Sequence, residues 1–342
     1  MRKFNSVYTR SPLRVGLAGG GTDIKSYFLE NGGAVINFAI KKFHHIYIKP
    51  SISKFTYTNQ NNNVVLEFSE GEILYDKTQD FCLITGTIKY FYDVFNVDFQ
   101  YLDISVYSDA PRGSGLGASS SLVVGLVSSL ATLYGIQLNF SQIAEIAYVI
   151  EREKLSLDGG TQDQYVSAYG GLNFIEFLKS GEIVVSPLIL DSETKFHFES
   201  RFISFFTGIS RSSEEIIKDQ RNSINEDDKK RLMCDLTTNA YQMKNAILLK
   251  QFEKIPKLLN DGFEIKKSIS TKVVSNYISD TIDLAIDSGA MGAKISGAGG
   301  GGFISCYVDP HRRGDFMNFL IKNNLNYFNC NIHSEGIVSF IN

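Results

Sequence analysis

The residues best suited to chemistry in this 342-residue chain stand beside glycines. Pro111-Arg112-Gly113-Ser114-Gly115-Leu116-Gly117-Ala118-Ser119-Ser120-Ser121 is a glycine-rich stretch running into a row of hydroxyls. Glycines let main chain approach an anion closely. A helix opening just after them offers unpaired N–H groups and the positive end of its dipole. The combination suits phosphate. A second cluster, Gly19-Gly20-Gly21, follows Arg14 and leads into Thr22 and Asp23. A carboxylate beside bare backbone suits the hydroxyls of a sugar, and a glycine turn capped by an aspartate has the same composition. Two further carboxylates are candidates. Glu151 borders an apolar helical stripe near its end, where it opposes the dipole and calls for a cation nearby. Asp163 follows Gly159-Gly160, which permit a ligand to come close. Taken singly, each also reads as a solvated helix charge or a turn residue.

The flanking pattern supplies elements to hold these groups. Leu102, Ile104 and Val106 alternate with polar residues, which predicts a strand before the first glycine loop. Residues 122–134 form an unbroken run of apolar and small residues ended by Gly135, which predicts a largely buried helix. Leu13, Val15 and Leu17 alternate with Arg14, placing the arginine off the apolar face of a short strand. Further strands are expected over 35–39, 45–48, 54–58, 64–68 and 202–206, with a polar hairpin loop at 59–63. Helices are expected over 81–95, from Asn139 or Ser141 through Ile150, and over 229–250, 251–260 and 275–288. Ser212 or Ser213 is a candidate N-cap for another helix, with Arg211 beside it as an anion-binding group. A third glycine cluster places five glycines in the six positions from Gly297 to Gly302, a costly choice between two strands unless bare backbone is needed there. The segment after it is read as a helix near 315–322 and strands near Asn331 and Ile337 that complete the second half. The polar stretch 191–195 reads as a boundary, giving domains over 1–190 and 191–342.

Two common phosphate motifs fail. The G-x-x-x-x-G-K-[ST] loop needs a lysine that is absent here. The dinucleotide fingerprint is met by Gly113, Gly115 and Ala118, but its strand should be a continuous apolar run, and its acidic ribose ligand should follow on a second strand. The loop instead resembles the P-x-x-x-G-L-G-S-S loop of the GHMP kinases (galactokinase, homoserine, mevalonate and phosphomevalonate kinases), with Ala118 where a serine is usual. Arg14 through Asp23 is similar to that family's first motif, and Gly297-Ala298-Gly299 to its third. Asp163 stands twelve residues after Glu151, and Gly160-Thr161-Gln162-Asp163-Gln164 matches the family's G-x-x-D-Q motif.

The resemblance implies an α+β, two-domain kinase with its active site between the domains and ATP along Pro111 to Ser120. It implies Mg²⁺ on Ser119 and Glu151, with Asp163 facing the acceptor hydroxyl and Arg14 beside the transferred phosphate. Ser11, Gly20, Gly21, Thr22, Asp23, Gly160, Thr161, Gly297, Ala298 and Gly299 are implied as sugar contacts. Arg211 is the candidate for the substrate's own phosphate. The Gly-Gly-Gly-Thr-Asp turn is more like heptose 7-phosphate kinases and the kinase part of fucose-salvage enzymes than like galactokinase. This implies phosphorylation at O1 of D-glycero-D-manno-heptose 7-phosphate, feeding GDP-heptose for surface polysaccharide. A neutral sugar such as fucose or galactose, and a non-catalytic sugar and ATP sensor, remain as alternatives.

Composition weighs against some partners. Hydrophobic residues make up 43% and charged residues 21%, an ordinary globular balance, and a net charge of −3 argues against a nucleic-acid surface or a polybasic membrane face. Cys82, Cys234, Cys306 and Cys330 show no C-x-x-C spacing, as expected for free thiols in a reducing compartment. His44 and His45 lack a second ligand cluster. No run approaches the ~18 residues of a membrane span. A cytoplasmic protein is expected; the oligomeric state stays open, a homodimer among the options.

Overall fold

The computed structural model describes residues 6–78, 81–111, 113–209, 227–270 and 275–342. In the first half the strands are β1 (Val7–Ala18), β2 (Gly33–Pro50), β3 (Phe55–Asn59), β4 (Val64–Phe68), β5 (Leu102–Ser108), β6 (Leu172–Phe177) and β7 (Ile183–Pro187). The long β2 organises them. It lies antiparallel to β1, pairs β6 through Gly33–Phe38 and pairs β5 through His44–Pro50, so the sheet branches about it. The apolar pattern splits β2 in two at Lys41-Lys42. The structure carries one strand through them with a local irregularity: the register against β1 steps from Pro12–Phe43 to Leu13–Ile40, leaving both lysines outside that ladder, with Lys41 exposed and its N–H donating to Asn331 O at 3.1 Å.

Helices α1 (Lys25–Asn31), α2 (Cys82–Phe95), α3 (Ala118–Tyr134), α4 (Phe140–Tyr148) and α5 (Gln162–Tyr169) accompany this sheet. α3 is apolar almost all round because it is buried: Val123, Val124, Leu126, Val127 and Leu130 are at most 1% exposed. Gly125 lets it approach the sheet, since a Cβ there would stand 2.3 Å from Ile46 Cδ1. α4 opens with a reciprocal cap, Asn139 Oδ1 accepting from Gln142 N and Gln142 Oε1 accepting from Asn139 N, both at 2.9 Å. It then widens into a π-helical turn over Val149–Lys154 that turns Glu151 inward.

The second half contains α6 (Ser192–Arg201), β8 (Phe202–Phe206), α7 (Asp227–Leu248), α8 (Ile255–Ile269), α9 (Asn276–Asp287), β9 (Ala290–Ile295), β10 (Phe303–Val308), α10 (Arg313–Lys322) and β11 (Tyr327–Asn329). Its antiparallel sheet runs β11-β8-β10-β9. The polar stretch at 191–195 is the capped start of α6, with Asp191 Oδ1 accepting from Thr194 N at 2.7 Å. The helix expected at 251–260 begins at Ile255, with Pro256 in its first turn, and runs on to Ile269. The last strand, β12 (Val338–Ile341), does not complete the second sheet as its position suggests; it pairs with β1. Among the described residues, the two sheets are then eight- and four-stranded.

The halves share a core. Leu13, Leu17, Phe38 and Phe174 from the first sheet pack in one cluster with Phe198, Phe202, Ile255 and Leu259. The rings of Phe38 and Phe202 meet edge to face at 5.9 Å. Each such buried side chain contributes about 1.5–3 kcal/mol, enough collectively to fix one half against the other and set the cleft between them.

Candidate active site

β1 carries Arg14 into the cleft and the first glycine loop closes over it. Arg14 is 4% exposed, and its main-chain N–H donates to Leu116 O at 3.0 Å. Its guanidinium donates to Gly115 O at 2.5 Å and, as a fork, to Asp163 Oδ1 at 2.7 Å and Oδ2 at 2.8 Å. Gly117 makes room for this pair. With φ at +74°, a Cβ there would lie 3.2 Å from Arg14 Cγ and 3.3 Å from Asp163 Oδ2. Gly117 also caps α3, whose first N–H groups, with no helical acceptor before them, face the loop side.

Glu151 lies one layer deeper and is wholly buried. A buried carboxylate needs compensation. Gln164 Nε2 donates to Oε2 at 2.6 Å, Arg152 Nη1 stands 3.7 Å from Oε1, and Ser119 Oγ donates to Oε1 at 3.4 Å. The last contact is long for a hydroxyl donor, so the face between Ser119 and Glu151 is the least satisfied part of the group. A hydroxyl and a carboxylate are hard oxygen donors of the kind Mg²⁺ takes from a protein when phosphate and water complete its shell. That fit needs no third acidic ligand, and among the described residues no cluster of three or more His, Cys, Asp or Glu could hold a metal. His44 is structural: it shares a 3.4 Å contact with Ser121 Oγ, and burial pushes its imidazole down to about 4.

The Gly19–Asp23 turn does something its sequence does not announce. Asp23 is 2% exposed; its Oδ1 accepts from Gly21 N at 3.0 Å, and its Oδ2 accepts from Thr161 N at 2.9 Å and Gln162 N at 3.1 Å. Asp23 therefore caps α5 across 138 residues of sequence and so places Asp163, in the first turn of that helix. Thr22 is fully buried, its hydroxyl engaged with Gly19 O and Ala34. Ser11 is fully buried beneath α3, where Ser121 Oγ donates to it at 3.1 Å. Both hydroxyls support the cleft from behind. The two glycines before Thr161 serve neighbours within the protein. A Cβ on Gly160 would meet Asp23 Oδ2 at 1.9 Å, and one on Gly159 would meet the Arg152 guanidinium at 2.1 Å. Arg152 itself ties the turn down, donating to Gly160 O at 3.2 Å and Asp158 O at 3.4 Å.

From the second half, the third glycine cluster packs main chain against main chain on the first. Phe303 N donates to Ser114 O at 3.0 Å; a Cβ on Gly115 would lie 2.6 Å from Ser296 O, and one on Gly302 2.4 Å from Ser114 O. Much of the glycine content that reads as ligand contact is needed for loop stacking. Gly297 and Ala298 reach the cleft; Gly299 is half-buried beside them.

The cleft narrows to a small cavity of about 60 Å³ lined by Gly20, Gly21, Asp23, Gly160, Gln162 and Asp163, together with Arg14 and Lys266 of α8. Sequence reading missed Lys266, its neighbour Lys294 on β9, Gln162, Gln164 and Arg152. Lys266 Nζ donates to Gly297 O at 2.5 Å, and Lys294 Nζ to Leu17 O at 3.2 Å. Burial pushes the Lys266 ammonium down to about 8 and, with Lys266 and Arg14 nearby, that of Lys294 down to about 7. Arg112, Arg211 and the helix opening at Ser212 or Ser213 lie outside the described residues. Among the described residues, no helix is long and apolar enough to cross a membrane.

The family description "GHMP kinases N terminal domain" matches residues 83–171, and "GHMP kinases C terminal" matches residues 243–324. The chain is 33% identical to the D-glycero-alpha-D-manno-heptose 7-phosphate kinase of Campylobacter jejuni, over 98% of this chain and 99% of that one. It is 26% identical to the L-fucokinase/L-fucose-1-P guanylyltransferase of Bacteroides fragilis, over 87% of this chain and 34% of that longer protein. The crystal structure of a D-glycero-D-manno-heptose 1-phosphate kinase from Bacteroides thetaiotaomicron superposes with a TM-score of 0.80 at 27% identity, covering 98% of each chain. With both family signatures in order and a full-length relative at this identity, the chain belongs to the GHMP kinases and is an ATP-dependent phosphotransferase acting on an alcohol.

Proposed function

We propose that this kinase uses Mg²⁺ and ATP to phosphorylate O1 of D-glycero-D-manno-heptose 7-phosphate. The observation that carries the reading is the forked Arg14–Asp163 pair lying against Gly117, with Ser119 and Glu151 in the adjoining turn. Both relatives named as heptose kinases act, by name, on a heptose that already carries one phosphate. The 7-phosphate is favoured over the 1-phosphate by the higher identity of that relative, 33% against 27%.

In this reading the main chain of residues 113–120 cradles the nucleotide phosphates, and Ser119 and Glu151 hold the cation. Mg²⁺, when bound there, supplies neutralisation of the charge on the transferred group. Each oxygen of Asp163 keeps a lone pair beyond its bond to Arg14. The carboxylate can therefore accept the acceptor hydroxyl's hydrogen bond, aim its oxygen at phosphorus and receive its proton. Arg14 fixes that carboxylate and adds positive charge where the phosphoryl group passes. Gly20, Gly21 and Gln162 line the acceptor's side.

The test is ADP release at fixed Mg²⁺ and ATP with heptose 7-phosphate, heptose 1-phosphate, free heptose, fucose and galactose. The 7-phosphate should give the highest kcat/KM. A neutral sugar turning over best would contradict the acceptor assigned here.

A further inference from the structure

Charge is balanced unevenly around the acceptor cavity. Arg14 is neutralised by Asp163 through two hydrogen bonds, and Asp23 spends its carboxylate on three main-chain N–H groups. Lys266, 8% exposed and lining the cavity, is different. Its ammonium has three donors, and the bond to Gly297 O uses one. Among the described residues, no carboxylate comes within ion-pairing distance of it; Asp23 and Asp163 act on its charge only from further off. Behind it, Lys294 is likewise bonded to a carbonyl. One ammonium thus lines the cavity and a second lies near enough for the two to repel, each with a carbonyl as its bonded partner. Burying such groups without counter-charge is costly unless a ligand brings the anion.

The ligand's side of the cleft is also defined. The cavity that Lys266 lines includes Gly20, Gly21, Asp23, Gly160 and Gln162 and none of residues 113–120, so its ammonium opens onto the acceptor's side, while its partner Gly297 packs on Gly115 at the edge of the nucleotide cradle. Asp23 bears on its charge more strongly than Asp163 does. We propose that Lys266, backed by Lys294, receives the phosphate that the acceptor sugar already carries, and that this cation selects phosphorylated over neutral sugars. The inference rests on the reading of a phosphorylated acceptor above. It assigns that recognition to α8 within the described cleft.

The experiment compares wild type with Lys266→Met and Lys294→Met in initial-rate assays, varying heptose 7-phosphate at saturating ATP and ATP at saturating sugar. Losing a charged hydrogen bond to phosphate weakens binding by about 10–100-fold. KM for heptose 7-phosphate should rise by that factor in Lys266→Met and by less in Lys294→Met. KM for ATP should change by less than about threefold, and the ratio of kcat/KM for phosphorylated over free heptose should fall in step. An unchanged KM for the sugar phosphate, or equal losses for ATP and sugar, overturns the proposal. Should Lys266→Met fail to fold, inorganic phosphate on the wild type decides: inhibition competitive with heptose 7-phosphate supports the assignment, and inhibition competitive only with ATP, or none, overturns it. The two readings fail separately. Wild type preferring neutral sugars sinks the phosphorylated acceptor itself; wild type preferring the 7-phosphate while Lys266→Met behaves identically sinks only the role of Lys266.

Discussion

Arg14 grips both oxygens of Asp163, at 2.7 and 2.8 Å, across 149 residues of sequence. The pair joins β1 to the first turn of α5 and lies against the glycine that opens α3. Replacing Asp163 with Asn keeps the shape and removes the charge. The expected result is a fall in kcat of about 10²–10⁴-fold with little change in KM for ATP. Arg14→Lys loses the fork and should cost kcat even though the positive charge remains. Steady-state kinetics on both variants check this.

Glu151 is wholly buried and its contact with Ser119 is long, which leaves that face available to a cation. Glu151→Gln preserves size while removing the charge. Half-saturation of activity by Mg²⁺ should move up by about tenfold or more, with the thermal midpoint of the metal-free protein nearly unchanged. A Mg²⁺ titration matching wild type would remove Glu151 from the metal site.

The tight glycines give a stability prediction independent of catalysis. Gly160→Ala drives a methyl to 1.9 Å from the carboxylate that caps α5, and should destabilise by about 1–3 kcal/mol. Gly314, in the first turn of α10 with open space around it, is the control. Ala there should be neutral or stabilising by about 0.5–1 kcal/mol. Urea unfolding of both variants measures the contrast.

Much of the cleft was legible because its chemistry is local in sequence. The alternation at Leu102–Val106 and the apolar run after Ser121 point to β5 and α3, and the resemblance of the Glu151-to-Asp163 step to the family motif implies two carboxylates at the site. What escaped depends on long-range packing. Lys266 stands beside Lys267 on an amphipathic helix, and nothing local tells which lysine faces the cleft: Lys266 is buried and Lys267 exposed. Asp23 reads as a turn residue, and only the folded chain shows it capping a helix 138 residues away. The glycines were found, but half their purpose was hidden. Gly159, Gly160, Gly115 and Gly302 admit an arginine, a carboxylate and a second loop. α6 was missed because its polar start resembles a linker until Asp191 is seen capping it.

Lys294 links the cleft to pH. Burial holds its ammonium at about 7 in the folded chain, against about 10.5 when exposed. Below pH 7 the group is charged in both states and its desolvation weighs fully against folding. Between about 7 and 10.5 the unfolded chain binds more protons, so this group's contribution to stability rises with pH. The charged groups acting on it are Lys266 and Arg14, both of the same sign. Lys294→Met should therefore raise the urea midpoint at pH 6 by more than at pH 9.5. A gain that is equal at both, or larger at the higher pH, would show that the ammonium is not held down in the folded chain.

The most direct measurement is ADP release by the purified protein with Mg²⁺, ATP and D-glycero-D-manno-heptose 7-phosphate, run beside its Asp163→Asn variant. Acceptor-dependent turnover by the wild type, reduced at least about a hundredfold in the variant, is the predicted result. No acceptor-dependent ADP release by the wild type, or equal turnover by both proteins, would contradict the account.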